Sequence, residues 1–217
     1  DKDDEYLIHY KDDATAGNGV KHDQFEGKGV LNNTISCIIF DMLEEAGIKT
    51  HMIKKLNERD ILVKKVDIFP LEVIIRNITT GSFCKRLGAP EGVVLEEPIF
   101  EISYKNDDYG DPLINEDHAV ALKLCTREEY NFIKQETLKI NELLKEFFLS
   151  LNLKLVDFKI EFGKTPDGEI LLADEISPDS CRLWDVETNQ KYDKDVFRQD
   201  IGDLIETYKA VLARMQK

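Results

Sequence analysis

In the segment Leu-Val-Asp-Phe-Lys-Ile-Glu-Phe-Gly at positions 155–163, apolar and ionisable side chains alternate without a break from Val156 to Phe162. Successive side chains of a strand point to opposite faces, so Val156, Phe158, Ile160 and Phe162 share one face and Asp157, Lys159 and Glu161 the other. Such a strand lies over an apolar core and lines up ionisable groups of both signs, which is more charge than solubility requires. A turn signal at Pro166-Asp167-Gly168 and a second apolar run at 170–173 follow, and together they predict a hairpin. The second run ends in Asp174-Glu175-Ile176-Ser177-Pro178-Asp179, with Arg182 close behind. Closing the hairpin brings Asp174 and Glu175 back toward the level of Asp157 and Lys159. Carboxylates and a lysine converging at one end of a sheet suit Mg2+ and a polyphosphate.

Upstream, a short strand is expected at 6–10, then a polar loop at 12–19 whose glycines suit tight turns. Helical periodicity over 29–46 stops at Gly47. Strand-like runs at 50–56, 60–66 and 71–79 read as an antiparallel meander, and 81–87 as a short helix. A less regular stretch through Pro98 and Pro112 leads to the capping-box sequence Thr126-Arg127-Glu128-Glu129. This opens a long amphipathic helix to about residue 150, with Tyr130, Ile133, Ile140, Leu144 and Phe147 as its buried stripe. A final helix is expected over 195–215. Strands and helices in mixed order, with no G-x-G-x-x-G after a strand, predict an α+β fold rather than a doubly wound one.

The chain has 217 residues, 42% of them hydrophobic, enough for a packed core. Its formal charge of −14, without a long basic run, argues against nucleic-acid or anionic-membrane partners. Any anionic substrate must therefore meet local positive charge. The apolar stretches fall far short of the roughly 20 residues a bilayer span needs, and no signal peptide is visible. Cys37, Cys84, Cys125 and Cys181 are scattered without a C-x-x-C pair, as expected of reduced thiols in a cytoplasmic protein. The four histidines are equally dispersed and do not read as a metal site.

The segment Ile-Phe-Pro-Leu-Glu-Val-Ile-Ile-Arg-Asn-Ile-Thr-Thr-Gly-Ser at 68–82 delivers Glu72 and Arg76 from a strand and Thr80, Gly81 and Ser82 from a turn. Arginine with hydroxyls and free backbone N–H groups makes a phosphomonoester site. Taken alone, a Glu72–Arg76 surface ion pair and an ordinary cap at Ser82 explain the same residues.

Positions 68–82 and 155–163 each resemble a signature of the phosphoribosylaminoimidazole-succinocarboxamide synthases, the SAICAR synthetases. The segments 13–19, 28–33, 174–179 and 182–185 are also similar to that family, so the resemblance covers essentially the whole chain. It implies a two-lobed, kinase-like or ATP-grasp-like layout of antiparallel sheets, with a nucleotide-binding lobe over 1–67 and a second lobe over 68–217. The implied activity is an ATP-dependent ligase joining L-aspartate to the carboxylate of carboxyaminoimidazole ribonucleotide through an acyl phosphate. The family's pattern makes Glu161 and Asp174 the ligands of Mg2+. Lys159 would stabilise the transferring phosphoryl, with Asp157 and Glu175 as further catalytic or substrate-binding carboxylates. Arg76, Ser82 and Arg182 would hold the 5′-phosphate, with Asp179 also on the substrate. Lys105 would lie near the ATP, whose adenine would rest on the backbone of Lys65, Val66, Asp67 and Ile68. The loop 13–19 with Lys21 is expected near aspartate or the ribonucleotide, and the family suggests a homodimer. Its members also carry a G-K-x-K type loop over the ATP phosphates; the sequence begins at Asp1, past the expected place of that loop, and reads as a fragment or as lacking the lid. Two other readings stay open: a small-molecule kinase, which would turn over ATP without aspartate, and a non-catalytic nucleotide-binding module, which would release no phosphate.

Overall fold

The alternating segment folds as a twelve-residue strand, Leu153–Lys164, around which the larger sheet is built. The structure is a computed structural model and describes residues 4–16 and 21–216. Its strands are β1 (Glu5–His9), β2 (Asp13–Ala16), β3 (Lys21–Gln24), β4 (Met52–Lys55), β5 (Asp60–Lys64), β6 (Asp67–Ile68), β7 (Leu71–Ile78), β8 (Val94–Tyr104), β9 (Leu113–Ile114), β10 (Leu153–Lys164), β11 (Ile170–Ala173) and β12 (Cys181–Asp185). Its helices are α1 (Lys28–Glu45), α2 (Gly81–Leu87), α3 (Glu116–Ala121), α4 (Arg127–Ser150), α5 (Asp195–Arg198) and α6 (Leu204–Met215).

β10 pairs antiparallel with four partners: β12 and β11 along one edge, β7 and β6 along the other. The predicted hairpin is present, with Glu161 opposite Ala173. In the same ladder Asp157 stands level with Arg76 of β7 and Arg182 of β12, so one carboxylate is flanked by an arginine on each side. The face expected to be polar is itself covered, and Asp157 and Glu161 are each only 4% exposed.

Several expectations need correction. The runs at 50–56, 60–66 and 71–79 do not form one meander. β4 and β5 join β1 in a three-stranded sheet ordered β1-β5-β4, whereas β7 lies between β10 and β8 in the seven-stranded sheet. β7 is apolar enough to be covered on both faces, while Lys54 and Lys55 keep β4 half-solvated. The stretch read as irregular contains the eleven-residue β8. Glu96, Glu97 and Pro98 hide its alternation, and Pro98 is tolerated because it sits where the β7–β8 register breaks. Residues 13–16 and 21–24 pair as a hairpin rather than forming a loop; positions 17–20 lie outside the described residues. The last helix is two helices, α6 being restarted by Asp203, whose side chain accepts from Glu206 N–H at 2.9 Å.

The capping box of α4 is formed, Thr126 and Glu129 each bonding the other's backbone N–H. Its stripe buries Tyr130, Ile133, Ile140 and Leu144, with Phe148 in the place expected for Phe147. These residues, Ile35, Ile39, Phe40 and Leu43 of α1, and both sheets share one apolar core. α1 also packs on α6, so elements on both sides of position 67 are tied together. The chain passes between sheets at Val66, over Gly163. A Cβ at Gly163 would lie 2.4 Å from Val66 Cγ2, so only glycine allows this approach. The architecture is α+β with antiparallel sheets, as the element order predicted.

Candidate active site

Two adjoining clefts share part of their lining, and the first opens against β7, β10 and β12. The first, about 400 Å³, is lined by Arg76, Lys159, Arg182, Lys194 and Arg198, against Asp157 and Asp179. In an acidic chain this is the local positive charge that an anionic ligand requires. Ladder pairing sets its geometry. Asp157 Oδ2 accepts from Arg76 Nη1 at 3.1 Å and from Arg182 Nη1 at 2.8 Å, holding the two guanidiniums as a pair. Arg76 also donates from Nε to Glu101 (2.7 Å) and from Nη2 to Ser82 Oγ (3.1 Å). The sequence-level alternative, a Glu72–Arg76 pair, is not what forms: Glu72 accepts from Lys159 at 2.5 Å. Arg182 Nε donates to Asp195 at 3.0 Å, and the guanidinium lies over Gly81, whose φ is +56°. Burial raises the Asp157 carboxyl, and the two arginines only partly offset this. The aspartate expected as a catalytic or substrate carboxylate is thus engaged in orienting Arg76 and Arg182.

The second cleft, about 280 Å³, shares Thr15, Asp179 and Lys194 with the first and adds Tyr10, Lys28, Asn32, Asp174 and Glu175. Asp174 caps the end of β11 with φ +59°, a conformation costly for a side-chain-bearing residue. Its carboxyl is pushed up to about 6, first by surrounding protein and then by the charge of Glu161 across the hairpin. Burial and then the charges of Asp179 and Asp174 push Glu175 up to about 8. Burial would also raise Asp179, but Lys28 and then Lys194 outweigh it and hold that carboxyl below its ordinary value. Lys28 Nζ stands 2.7 Å from Asp179 Oδ2, and Tyr208 donates to Oδ1.

Glu161 is held by Lys105, whose Nζ lies 2.6 and 2.7 Å from its two oxygens. Among the described residues no three His, Cys, Asp or Glu side chains are grouped to enclose a metal. The pair Glu161 and Asp174 nevertheless fits Mg2+, which takes one or two protein carboxylates and fills its other positions with phosphate oxygens and water.

Of the residues singled out in the sequence, the structure brings Arg76, Ser82, Asp157, Lys159, Asp179 and Arg182 to the first cleft and Asp174 and Glu175 to the second. Lys65, Val66, Asp67 and Ile68 line neither cleft and form the crossover between the sheets, the joining segment on which the adenine is expected, with β6 hydrogen-bonded to Gly163 and Lys164. Lys21 lines neither cleft and donates to Phe197 O and to Asp200. Sequence reasoning gave no role to His51, Lys28, Asn32 or Lys194. His51, set aside as an isolated histidine, is 3% exposed and packs edge-on to Phe40. Its Nε2 lies 3.2 Å from the Asp174 carbonyl, and burial pushes its pKa down to about 4. A carbonyl can only accept, so the neutral ring donates from Nε2 and steadies the strained Asp174 backbone. Lys28 and Asn32 stand in a family-like segment, which was the available signal.

A family model described as SAICAR synthetase matches residues 1–215. The phosphoribosylaminoimidazole-succinocarboxamide synthase of Finegoldia magna is 67% identical over 216 residues, covering 100% of this chain and 93% of that one. A solved SAICAR synthetase in complex with ADP superposes with a TM-score of 0.97 at 50% identity, covering 99% of this chain and 92% of its own. The SAICAR synthetase of Pyrococcus horikoshii OT3 gives a TM-score of 0.95 at 50% identity, covering 100% of this chain and 95% of its own.

Proposed function

This chain belongs to the SAICAR synthetase family, and from that premise we propose how its residues divide the work. The enzyme is an ATP-dependent ligase of purine biosynthesis, joining L-aspartate to the carboxylate of carboxyaminoimidazole ribonucleotide to give SAICAR, ADP and phosphate. A carboxylate does not react with an amine unaided. In our reading a carboxylate oxygen of the ribonucleotide takes the γ-phosphoryl of ATP and ADP leaves. The amine of aspartate then attacks the acyl carbon, loses a proton and expels phosphate. Little of this is covalent chemistry for the protein, so its residues position the reactants and neutralise charge.

The observation that carries the assignment is the Arg76–Asp157–Arg182 row beside Ser82, a paired-guanidinium seat for a phosphomonoester at one end of a cleft. Lys159, part-exposed on the same cleft, would stabilise the transferring phosphoryl. Glu161 and Asp174 would hold Mg2+, which would neutralise polyphosphate charge. Lys105, now on Glu161, would turn to the nucleotide. The adenine would lie along residues 65–68 between a lobe over 1–67 and one over 68–217. Asp179 and the hairpin β2–β3 would face the substrates.

We extend the reading to a cytoplasmic homodimer. Four free cysteines and the lack of any described helix long and apolar enough to cross a membrane support the first term, and light scattering would test the second. The decisive experiment is phosphate release from Mg-ATP with carboxyaminoimidazole ribonucleotide, with and without L-aspartate. Aspartate-dependent release with product formation is expected, whereas equal release without aspartate would favour a kinase.

A further inference from the structure

We infer that the amino group of the amino-acid substrate docks in the second cleft, between Asn32 Oδ1 and Glu175 Oε2. The inference rests on the reading above, that this site joins L-aspartate to an activated carboxylate. Both oxygens are buried and lack a hydrogen-bond partner, and both residues line the same cavity. Asn32 is 2% exposed on α1, so its amide cannot turn to solvent. Its neighbour Asn33 shows the ordinary outcome, donating to the carbonyls of Asn57 and Glu58.

A buried acceptor left without a donor is costly. Two of them on residues that line one cavity mark a place where a ligand can supply the donors. An ammonium carries three N–H donors and no acceptor. It also suits the Glu175 carboxyl on that wall, which a neighbouring positive charge favours in its ionised form. Lys28 and Lys194 on the same cavity supply positive charge for the carboxylates of an acidic amino acid. Both lysines now share Asp179 Oδ2, at 2.7 and 3.6 Å, and an incoming carboxylate can take over part of that contact. Because Asp179, Lys194 and Thr15 belong to both clefts, an amine placed here faces the substrate whose phosphate occupies the first. The ribonucleotide's ring amino group is also a donor, but it is neutral and gains less than an ammonium does from the Glu175 carboxyl.

The test is Asn32→Leu, which keeps the side-chain volume and removes the acceptor. Losing a hydrogen bond to a charged group predicts a rise of about tenfold or more in the KM for L-aspartate. The KM values for ATP and the ribonucleotide are expected to stay within about twofold, and Tm not to fall, because an unpartnered buried acceptor has been removed. An unchanged aspartate KM overturns the inference; a rise in the ribonucleotide KM instead assigns the acceptors to the ring amine and overturns it too. The unmodified enzyme gives a second readout. Succinate, which lacks only the amino group, is expected to inhibit with a constant about tenfold or more above the aspartate KM, and equal values would overturn the docking. If the unmodified enzyme shows no aspartate-dependent product at all, the functional reading itself fails, an outcome distinct from any of these.

Discussion

Gly163→Ala would place a methyl group where the chain crosses between the sheets. The new Cβ would lie 2.4 Å from Val66 Cγ2 and 2.7 Å from Val66 Cβ. Carbon atoms in contact prefer about 3.5–4.0 Å, so the two residues must separate by about 1 Å or more. Rotating Val66 cannot relieve the contact to its Cβ, which the backbone fixes. The crossover strand must therefore shift against β10, straining the Gly163–Ile68 pairing. Overpacking of this kind costs about 1–3 kcal/mol. For a domain of this size each kcal/mol moves Tm by about 2–4 °C, so the expected loss is roughly 2–12 °C by calorimetry. Val66→Ala cannot move Val66 Cβ, but it frees the crossover to settle, and in a double-mutant cycle it should recover about half of the cost. If residues 65–68 also seat the adenine, the ATP KM rises while the ribonucleotide KM holds. A Gly163→Ala enzyme melting within about 1 °C of the parent, or two purely additive costs in the cycle, would refute this account of the junction.

Glu161→Ala and Asp174→Ala are each expected to abolish turnover with little change in the circular dichroism spectrum, and near-normal turnover in either would remove that residue from the metal pair. Arg182→Lys should raise the ribonucleotide KM roughly tenfold or more, since an ammonium cannot donate to Asp157, Asp195 and a phosphate in one plane; an unchanged KM would move the phosphate seat elsewhere. Asp12, held by Arg59, has its carboxyl pushed down to about 2. Its folded pKa lies below the unfolded one, so its contribution is present above about pH 4 and lost as pH falls toward 2. Urea melts should therefore show the parent more stable than Asp12→Asn at pH 7, with the gap closing toward pH 2; a constant gap would sever the link. Thr126→Ala removes one half of the α4 capping box and should cost about 1 kcal/mol, read as a Tm loss of roughly 2–4 °C.

The parts of the fold governed by local periodicity were legible in the sequence. The alternation at 155–163, the Pro166-Asp167-Gly168 turn and the Thr126–Glu129 box each specify their element from within a short window, and each formed. What failed depended on partners distant in the chain. Nothing within 60–79 says that β5 and β7 belong to different sheets, because both are apolar runs; the choice is made by β10, which is some eighty residues away. β8 was hidden by Glu96, Glu97 and Pro98, residues acceptable only because of where the β7 register breaks. Within the site, Arg76, Asp157 and Arg182 could be nominated separately, but their sharing of one carboxylate oxygen needed the ladder on both sides of β10. His51 was invisible because its partner is a main-chain carbonyl, and any residue supplies one of those.

β10 is fastened along both edges by four strands and also carries Asp157, Lys159 and Glu161. Amides gripped in this way exchange with solvent only when the whole domain opens. No partial opening can loosen these three groups while leaving the rest folded, so their spacing should hold up to the melting temperature and then vanish in one step. Variation in substrate preference is therefore open mainly to the segments that β10 does not clasp. These are the β2–β3 hairpin, joined to its own return strand, and the stretch 186–203, which reaches the sheet through side chains such as Asp195 and a few turn bonds. Efforts to retune this ligase should find the strand intolerant and those two segments permissive.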